Sequence, residues 1–364
     1  MKIDRRQVKT VLKTHSIIDN WFPCRYSLDL YSGCSFSCKF CPANFKSTKK
    51  LIIKENAVAV LKRELDALPV PSLIGVGGGI NDFYDAAGNR QLGRNVLSTI
   101  MDAGHKILLM TRSAEVEKDT GFFQKYAPEL RPLVVMSIPA VEETLVEAME
   151  PGLPTAAQRF KSLTRLNQAG IVTAAAYSPL IPFYNDSELE TGVFLDRLAQ
   201  CGVSAFIPAY VYAMSVPYLK SFLPSEVYKS LHKLYAERNS MEKYFKEHFK
   251  TISSKAQRAG ILPQLAVNNF ASVLTKKDYI TAILLSIYYF KLYAGIKREA
   301  YRKAALAINF TPEDTFALLS EQQQLTSING IGPVIEKNIN AMYFNNDFSF
   351  YEQLTAEFNG SSSS

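Results

Sequence analysis

Six short apolar runs recur through the first two-thirds of the chain: Tyr26–Tyr31, Leu73–Val76, Lys106–Met110, Leu133–Ile138, Val172–Tyr177 and Ala205–Pro208. Between them lie stretches whose apolar residues return every three or four positions: Glu55–Leu68, Arg94–Ala103, Thr120–Tyr126, Thr155–Ala169 and Glu188–Cys201. The first pattern predicts buried strands and the second amphipathic helices. Gly104, Gly170 and Gly202 each follow a helical stretch and lead into a strand, as C-terminal glycines do. Asp186 or Ser187 stands where the helix from Glu188 needs a cap. Strands alternating with helices predict an α/β fold with a parallel sheet and helical crossovers. Six strands in about 200 residues suit a partial (β/α)6 TIM-type barrel better than a complete eightfold one. Chemistry in such a fold sits at the C-terminal ends of the strands.

From Pro224 onward the pattern turns helical, without strands. This divides the chain into a strand-bearing domain, 1–223, and an all-helical C-terminal region, 224–360. Tyr279–Ala307 reads as one long apolar and aromatic helix with a basic end. Phe310-Thr-Pro-Glu-Asp opens another, with Thr311 as its cap and Pro312 in its first position.

With 364 residues, 47% hydrophobic and 21% charged, the chain can bury a core without a disulfide staple. No stretch reaches the ~18 apolar residues of a membrane span; the longest candidate, Ile280 to Phe290, runs straight into Lys291. The N-terminal MKIDRRQVKTVLKTH lacks the apolar core of a secretory signal. A cytoplasmic, reducing setting is therefore expected. The net charge of +7 is uneven: +3 over residues 1–219, +10 over 220–303 and −6 over 304–364. So basic a middle segment suits an anionic partner such as nucleic acid; a solvated, lysine-rich helical surface is the plainer reading.

Three of the five cysteines fall within eight residues, as Tyr31-Ser-Gly-Cys34-Ser-Phe-Ser-Cys38-Lys-Phe-Cys41-Pro. In a reducing compartment such a cluster reads as metal-binding or catalytic. Three thiolates on one loop can hold three irons of a 4Fe-4S cluster, leaving the fourth without a protein ligand. A three-cysteine zinc site is the alternative. It needs a fourth ligand; none of the four histidines is local, and Cys24 is the nearest thiol.

The Cys-x3-Cys-x2-Cys spacing, the aromatic Phe40 before the last cysteine and the position after a strand resemble the radical S-adenosylmethionine superfamily. The resemblance implies S-adenosylmethionine chelated by the open iron and cleaved reductively to a 5′-deoxyadenosyl radical that abstracts hydrogen. It also implies an electron donor such as flavodoxin or ferredoxin. The protein's share is orientation and exclusion of water. Cys34, Cys38 and Cys41 would hold the cluster, with Phe40 beside them. The loop Gly75-Val-Gly77-Gly78-Gly79-Ile-Asn-Asp82 would let backbone approach the methionine moiety. Arg112, ending the third strand, would take the cofactor's carboxylate, unless it serves a helix-entry salt bridge. Ser137 would reach the ribose, unless it is a core serine, and the backbone of Tyr177-Ser-Pro-Leu-Ile-Pro182 would flank the adenine. Glu150 and Arg159 read as a structural pair bracing the barrel rim.

Together, Tyr31-x-Gly-Cys34, Thr111-Arg112-Ser113 with Asp119, Ser137-Ile, Glu150-Pro151 with Arg159, and Leu166-x-x-Ala-Gly170 leading to Ser178-Pro-Leu-Ile-Pro182 resemble the spore photoproduct lyase-like, or DNA photolyase-like, branch. Two features depart from the lyases proper. Their hydrogen-donating cysteine would fall near Gly79, yet no cysteine lies between Cys41 and Cys201, and Pro42 stands where they carry tyrosine. Both argue against repair of the spore photoproduct itself. Cys24 is a substitute hydrogen donor only if it faces the site; otherwise it is a packed thiol.

Near the C-terminus, Leu325-Thr-Ser-Ile328-Asn-Gly330-Ile-Gly332-Pro-Val-Ile-Glu-Lys337-Asn-Ile339 resembles a helix-hairpin-helix element over 325–340. Gly330, Gly332 and Lys337 would present backbone N–H groups and a cation to a DNA phosphate. Its surroundings are acidic, and a hairpin used only for packing is the other reading. The leading expectation is a radical enzyme acting on nucleic acid, in DNA repair or base modification. The alternatives are a radical enzyme modifying a peptide or small molecule, and a non-catalytic iron–sulfur or zinc protein that binds nucleic acid.

Overall fold

The structure, a computed structural model, describes residues 2–41, 50–69, 71–77, 81–85, 88–294, 296 and 299–358. Its strands are β1 (Lys2–Arg6), β2 (Leu12–Thr14), β3 (Tyr26–Leu28), β4 (Tyr31–Ser32), β5 (Lys50–Lys54), β6 (Leu73–Val76), β7 (Lys106–Thr111), β8 (Leu133–Ser137), β9 (Thr173–Leu180) and β10 (Phe206–Tyr210). The main sheet has seven strands in the order β10-β9-β8-β7-β6-β3-β2. All neighbours in it are parallel except β2, which pairs antiparallel with β3. Its six parallel strands correspond to the six apolar runs, in sequential order. The first run is divided between two sheets: Tyr26–Leu28 joins the main one, while Tyr31–Ser32 pairs with β5 in a small sheet of order β1-β5-β4.

Five helices fill the crossovers where the periodicity predicts them: α1 (Ala57–Leu65), α2 (Arg90–Asp102), α3 (Thr120–Phe123, after a 3-10 turn over Ala114–Asp119), α5 (Ala156–Gln168) and α6 (Glu188–Gln200). A further short helix, α4 (Glu143–Met149), precedes α5. Ser187, not Asp186, caps α6, its hydroxyl accepting from the Glu190 amide. Thr155 and Gln158 form a capping box at α5. Gly104, Gly170 and Gly202 all take positive φ, as their place after helix ends requires.

Strands β6 to β9 are almost wholly buried because both faces of the sheet are covered. Ile74, Ile107, Val134, Ala175 and Phe206 point to the side packed by α1, α2, α5 and α6. Their neighbours Leu73, Leu108, Val135, Ala174 and Ile207 point to the other side, where Ile280, Ile283 and Leu284 meet them. These belong to the helical region: α7 (Val216–Leu219), α8 (Ser225–Ala236), α9 (Arg238–Ala259), α10 (Lys276–Tyr293), α11 (Glu299–Phe310), α12 (Glu313–Glu321), α13 (Pro333–Asn345) and α14 (Ser349–Phe358). The helical region and one sheet face share a single core.

Two expectations are corrected here. The helix predicted over Tyr279–Ala307 is two, α10 and α11, packed on each other. The first closes when the Ala294 and Ile296 amides donate to the Phe290 and Lys291 carbonyls, and Gly295 is the residue between them in the sequence. Thr311 is not the cap of α12. Its hydroxyl turns back to the Ala307 carbonyl, and Pro312 takes the cap position. No helix among the described residues is long and apolar enough to cross a membrane.

A buried bidentate contact joins the two parts. Arg25 donates from Nε and Nη2 to both carboxylate oxygens of Asp278, at 2.9 and 2.6 Å. The same guanidinium reaches Asn309 Oδ1 and the Ser16 carbonyl.

Candidate active site

A cavity of about 340 Å³ opens at the C-terminal ends of the parallel strands. Its wall includes Gly77 after β6, Met110–Arg112 at the end of β7, Ser137 ending β8, Ser178–Pro179 in β9, and Ala209–Tyr212 at the end of β10. The loop after β4 brings Cys34, Cys38, Cys41 and Phe40 to the same cavity, and Asp82 lines it too. Residues from six separate segments thus meet here. Gly78, Gly79 and Pro42 lie outside the described residues.

The cysteine loop is held from several sides. The Lys39 amide donates to the Met149 carbonyl at 2.9 Å, and the Cys41 amide to the Cys38 carbonyl at 3.2 Å. Both carboxylate oxygens of Asp85 accept from Ser35, one from its amide and one from its hydroxyl. Asn81 donates to the Tyr31 carbonyl at 3.1 Å, so the segment 81–85 clasps the loop that carries Cys34. Burial pushes the Cys34 thiol up to about 12, and pushes Cys38 up as well, reinforced by Glu150 nearby. A buried thiol of this kind becomes a thiolate when a bound cation compensates its charge.

Gly77 has φ near +78°, and a Cβ there would lie 2.3 Å from the Met110 carbonyl oxygen. Only glycine lets this turn sit against the neighbouring strand. Asp82 is a staple: its carboxylate accepts from the Thr111 hydroxyl at 2.7 Å, the Arg112 amide at 2.7 Å and the Tyr84 amide at 2.9 Å. Burial raises its pKa. Arg112 is half-buried, its Nε donating to Glu150 Oε1 at 2.9 Å and its guanidinium lying 5.6 Å from the centre of the Phe40 ring. Burial opposes the charge on Arg112, but Glu150 and the neighbouring thiols overcome it and hold its pKa above the ordinary value. Glu150 turns its other oxygen to Arg159 Nη2 at 2.5 Å, with both side chains fully buried. Arg159 in turn donates to the Ser137 carbonyl at 2.8 Å. The brace expected between Glu150 and Arg159 is therefore present, and it extends to Arg112 and Ser137. The Ser137 hydroxyl donates to the Ser178 carbonyl at 3.2 Å.

Cys24 is elsewhere. It is fully buried among Ile18, Leu73 and Leu108, does not line the cavity, and burial raises its pKa strongly. Gly330, Gly332 and Lys337 are remote as well. Gly332 caps α13, and a single 3-10 turn, Leu325–Ser327, precedes the bend. Glu336 there accepts from the Thr326 amide, and Lys337 borders a small cavity beside α10 and α14. Sequence reasoning missed Trp21, Phe36, Asn81, Tyr210, Tyr212 and Ser215, which also line the main cavity. The rule that strand ends carry chemistry points to the residues after β10; nothing local marks Trp21.

Among the described residues, no three His, Cys, Asp or Glu side chains are gathered tightly enough to hold a metal ion. The donors nevertheless suit an iron–sulfur cluster: three soft sulfurs on one short loop facing one cavity beside a cation.

No family model matches the chain. Among curated proteins, it is similar to an uncharacterized protein of Mycobacterium tuberculosis, 23% identical over 198 residues, or 50% of this chain and 57% of that one. It is 27% identical over 176 residues to an uncharacterized protein of Methanocaldococcus jannaschii, 46% of this chain and 65% of that one. The match thus spans less than two thirds of either relative. Among solved structures, it is similar to spore photoproduct lyase complexed with dinucleoside spore photoproduct, at 13% identity and TM-score 0.47, over 61% of this chain and 66% of that one. It is also similar to Streptococcus suis SuiB bound to S-adenosylmethionine, at 15% identity and TM-score 0.37, over 50% of this chain and 39% of that one. Spore photoproduct lyase gives its name to the branch that the sequence resembles.

Proposed function

We propose that the chain is a radical S-adenosylmethionine enzyme of the spore photoproduct lyase-like branch, with a six-strand partial barrel as scaffold and nucleic acid as substrate. The observation that carries the reading is the convergence of Cys34, Cys38 and Cys41 with Gly77, Arg112 and Ser137 on one cavity at the strand ends. Cys34, Cys38 and Cys41 would hold a 4Fe-4S cluster. Such a cluster, once bound, would supply the one electron for reductive cleavage of S-adenosylmethionine to methionine and a 5′-deoxyadenosyl radical.

The chain's own residues bind and orient. Arg112, kept charged by Glu150, takes the methionine carboxylate. The backbone at Gly77 meets the amino group, the Ser137 hydroxyl the ribose, and Ser178–Pro179 the adenine. Asp82 acts through Thr111 and Arg112, whose backbone it fixes. Phe40 shields the guanidinium from water. An electron donor such as flavodoxin or ferredoxin and a cytoplasmic setting complete the proposal. The proposal keeps a strand-bearing domain, 1–223, and a helical region, 224–360, a division supported by the last strand ending at Tyr210, and the turn at Gly330–Gly332 with Lys337 is a second DNA-contact candidate.

Anaerobic reconstitution followed by incubation with reductant, S-adenosylmethionine and oligonucleotides tests the reading. We expect iron in the protein and 5′-deoxyadenosine in the products, both lost in Cys38→Ala. Zinc in place of iron, or no cleavage by reconstituted wild type, overturns it.

A further inference from the structure

Part of the cavity wall is left over once S-adenosylmethionine is placed. Trp21, Tyr212 and Ser215 line the same cavity, and none is among the residues assigned to the cofactor. They come from the two ends of the parallel array: Trp21 precedes β3, while Tyr212 and Ser215 follow β10. Trp21, the chain's single tryptophan, is half-buried, and its ring centre lies 5.6 Å from that of Phe22. Tyr212 is 66% exposed. A 3-10 turn, Ala213–Ser215, links it to Ser215, whose amide donates to the Tyr212 carbonyl at 2.8 Å. The Ser215 side chain is the anomaly. The residue is 1% exposed, and its hydroxyl has no hydrogen-bond partner among the described residues. Leaving a buried hydroxyl unpaired costs about 1–3 kcal/mol, and nearly all such groups have a partner. One that belongs to a cavity wall is completed by what the cavity receives.

We propose that this part of the wall is the subsite for one nucleobase of the substrate, its face on the Trp21 and Tyr212 rings and its polar edge on the Ser215 hydroxyl. The inference deepens the proposed function and rests on it. Two demands select the occupant. Aromatic rings in a wall suit a planar face, and stacking of a base on such a ring contributes about 1–3 kcal/mol. The unpaired hydroxyl needs a donor or acceptor on the same ligand, which a base carries along its edge and a phenylalanine side chain lacks. Enzymes that work on a base hold it in this way, out of its stack, with rings against its face and hydrogen bonds along its edge.

The test uses the full chain without its cluster, so that binding is read apart from catalysis. Fluorescence anisotropy follows a short labelled DNA strand of mixed sequence, and a second strand with the same backbone but no bases. Trp21 emission is recorded in parallel with unlabelled strands. The first strand is expected to quench Trp21 saturably, and the baseless one is not. Tyr212→Ala weakens binding of the first strand about tenfold. Ser215→Ala weakens it about fivefold, the worth of one hydrogen bond, yet melts at the same temperature as wild type or higher, because the hydroxyl it removes is unpaired in the free protein. A serine that only held the fold would show the reverse, a lower melting temperature with affinity unchanged. The inference is overturned if the baseless strand binds as tightly, if either variant leaves affinity unchanged, if S-adenosylmethionine displaces the strand, or if a peptide of mixed sequence displaces it with the same dependence on Ser215. If reconstituted protein cleaves S-adenosylmethionine while both variants bind the strand like wild type, the subsite falls and the radical reading stands. If the strand binds with the expected dependence but no cleavage follows reconstitution, the radical reading falls instead.

Discussion

Two arginine–carboxylate contacts, one at the strand ends and one between the sheet and the helices, put the same chemistry to different uses. At the seam, Arg25 directs its donors to Asp278, Asn309 and main-chain carbonyls. At the cavity, Glu150 holds two guanidiniums, and among the described residues Arg112 gives it only Nε. The lesson is that a buried ion pair reads as assembly when its hydrogen-bonding capacity is exhausted, and as a ligand site when donors remain beside a cavity.

Four changes break or sharpen that contrast. Glu150→Ala has the largest effect, because it strands Arg159 and Arg112 together; a loss of about 3–5 kcal/mol is expected, measured as a fall in the urea midpoint. Asp278→Ala costs less, about 2 kcal/mol, because Arg25 keeps some solvent and other acceptors. It leaves S-adenosylmethionine affinity unchanged by calorimetry, and a parallel loss of affinity would erase the distinction between the two contacts. Arg112→Gln reverses this: stability shifts by about 1 kcal/mol or less, since Glu150 retains Arg159, while affinity for S-adenosylmethionine falls at least about tenfold. The smallest effect is a pH response far from both. His105 is fully buried, its Nδ1 accepting from the Ser72 amide at 3.1 Å, and burial lowers its pKa. Its contribution is full above the ordinary value of about 6.5 and is lost as pH falls toward its lowered folded value, because the unfolded chain takes the proton first. Melting temperature should therefore drop on acidification below about pH 6.5, and His105→Gln should flatten that part of the profile.

How far the chain could be read follows from the range of the forces at each position. The six parallel strands are legible because both faces are buried, so every residue in runs such as Leu73–Val76 is apolar. The caps are legible because they act within three residues, as Ser187 does on Glu190. The small sheet is not: β1 is Lys-Ile-Asp-Arg-Arg, largely exposed, and only its pairing with Lys50–Lys54 makes it a strand. At the site, the cysteines announce themselves by spacing. The contact from Arg112 to Glu150 spans 38 residues, and the clasp of Asp85 on Ser35 spans 50, distances at which no local pattern forms.

The main sheet ends in two different margins. On one side the last strand is β2, three residues long with two of them exposed, and Glu64 accepts from its Leu12 amide at 3.0 Å. On the other, beside β10, Leu262 supplies an acceptor to the Phe206 amide and a donor to the Ser204 carbonyl, both at 2.8 Å. Unpaired strand margins invite fibrous self-association, and charged or covered margins prevent it. With a short, polar last strand on one side and the Leu262 backbone on the other, the sheet offers little continuous backbone for a further strand to pair with.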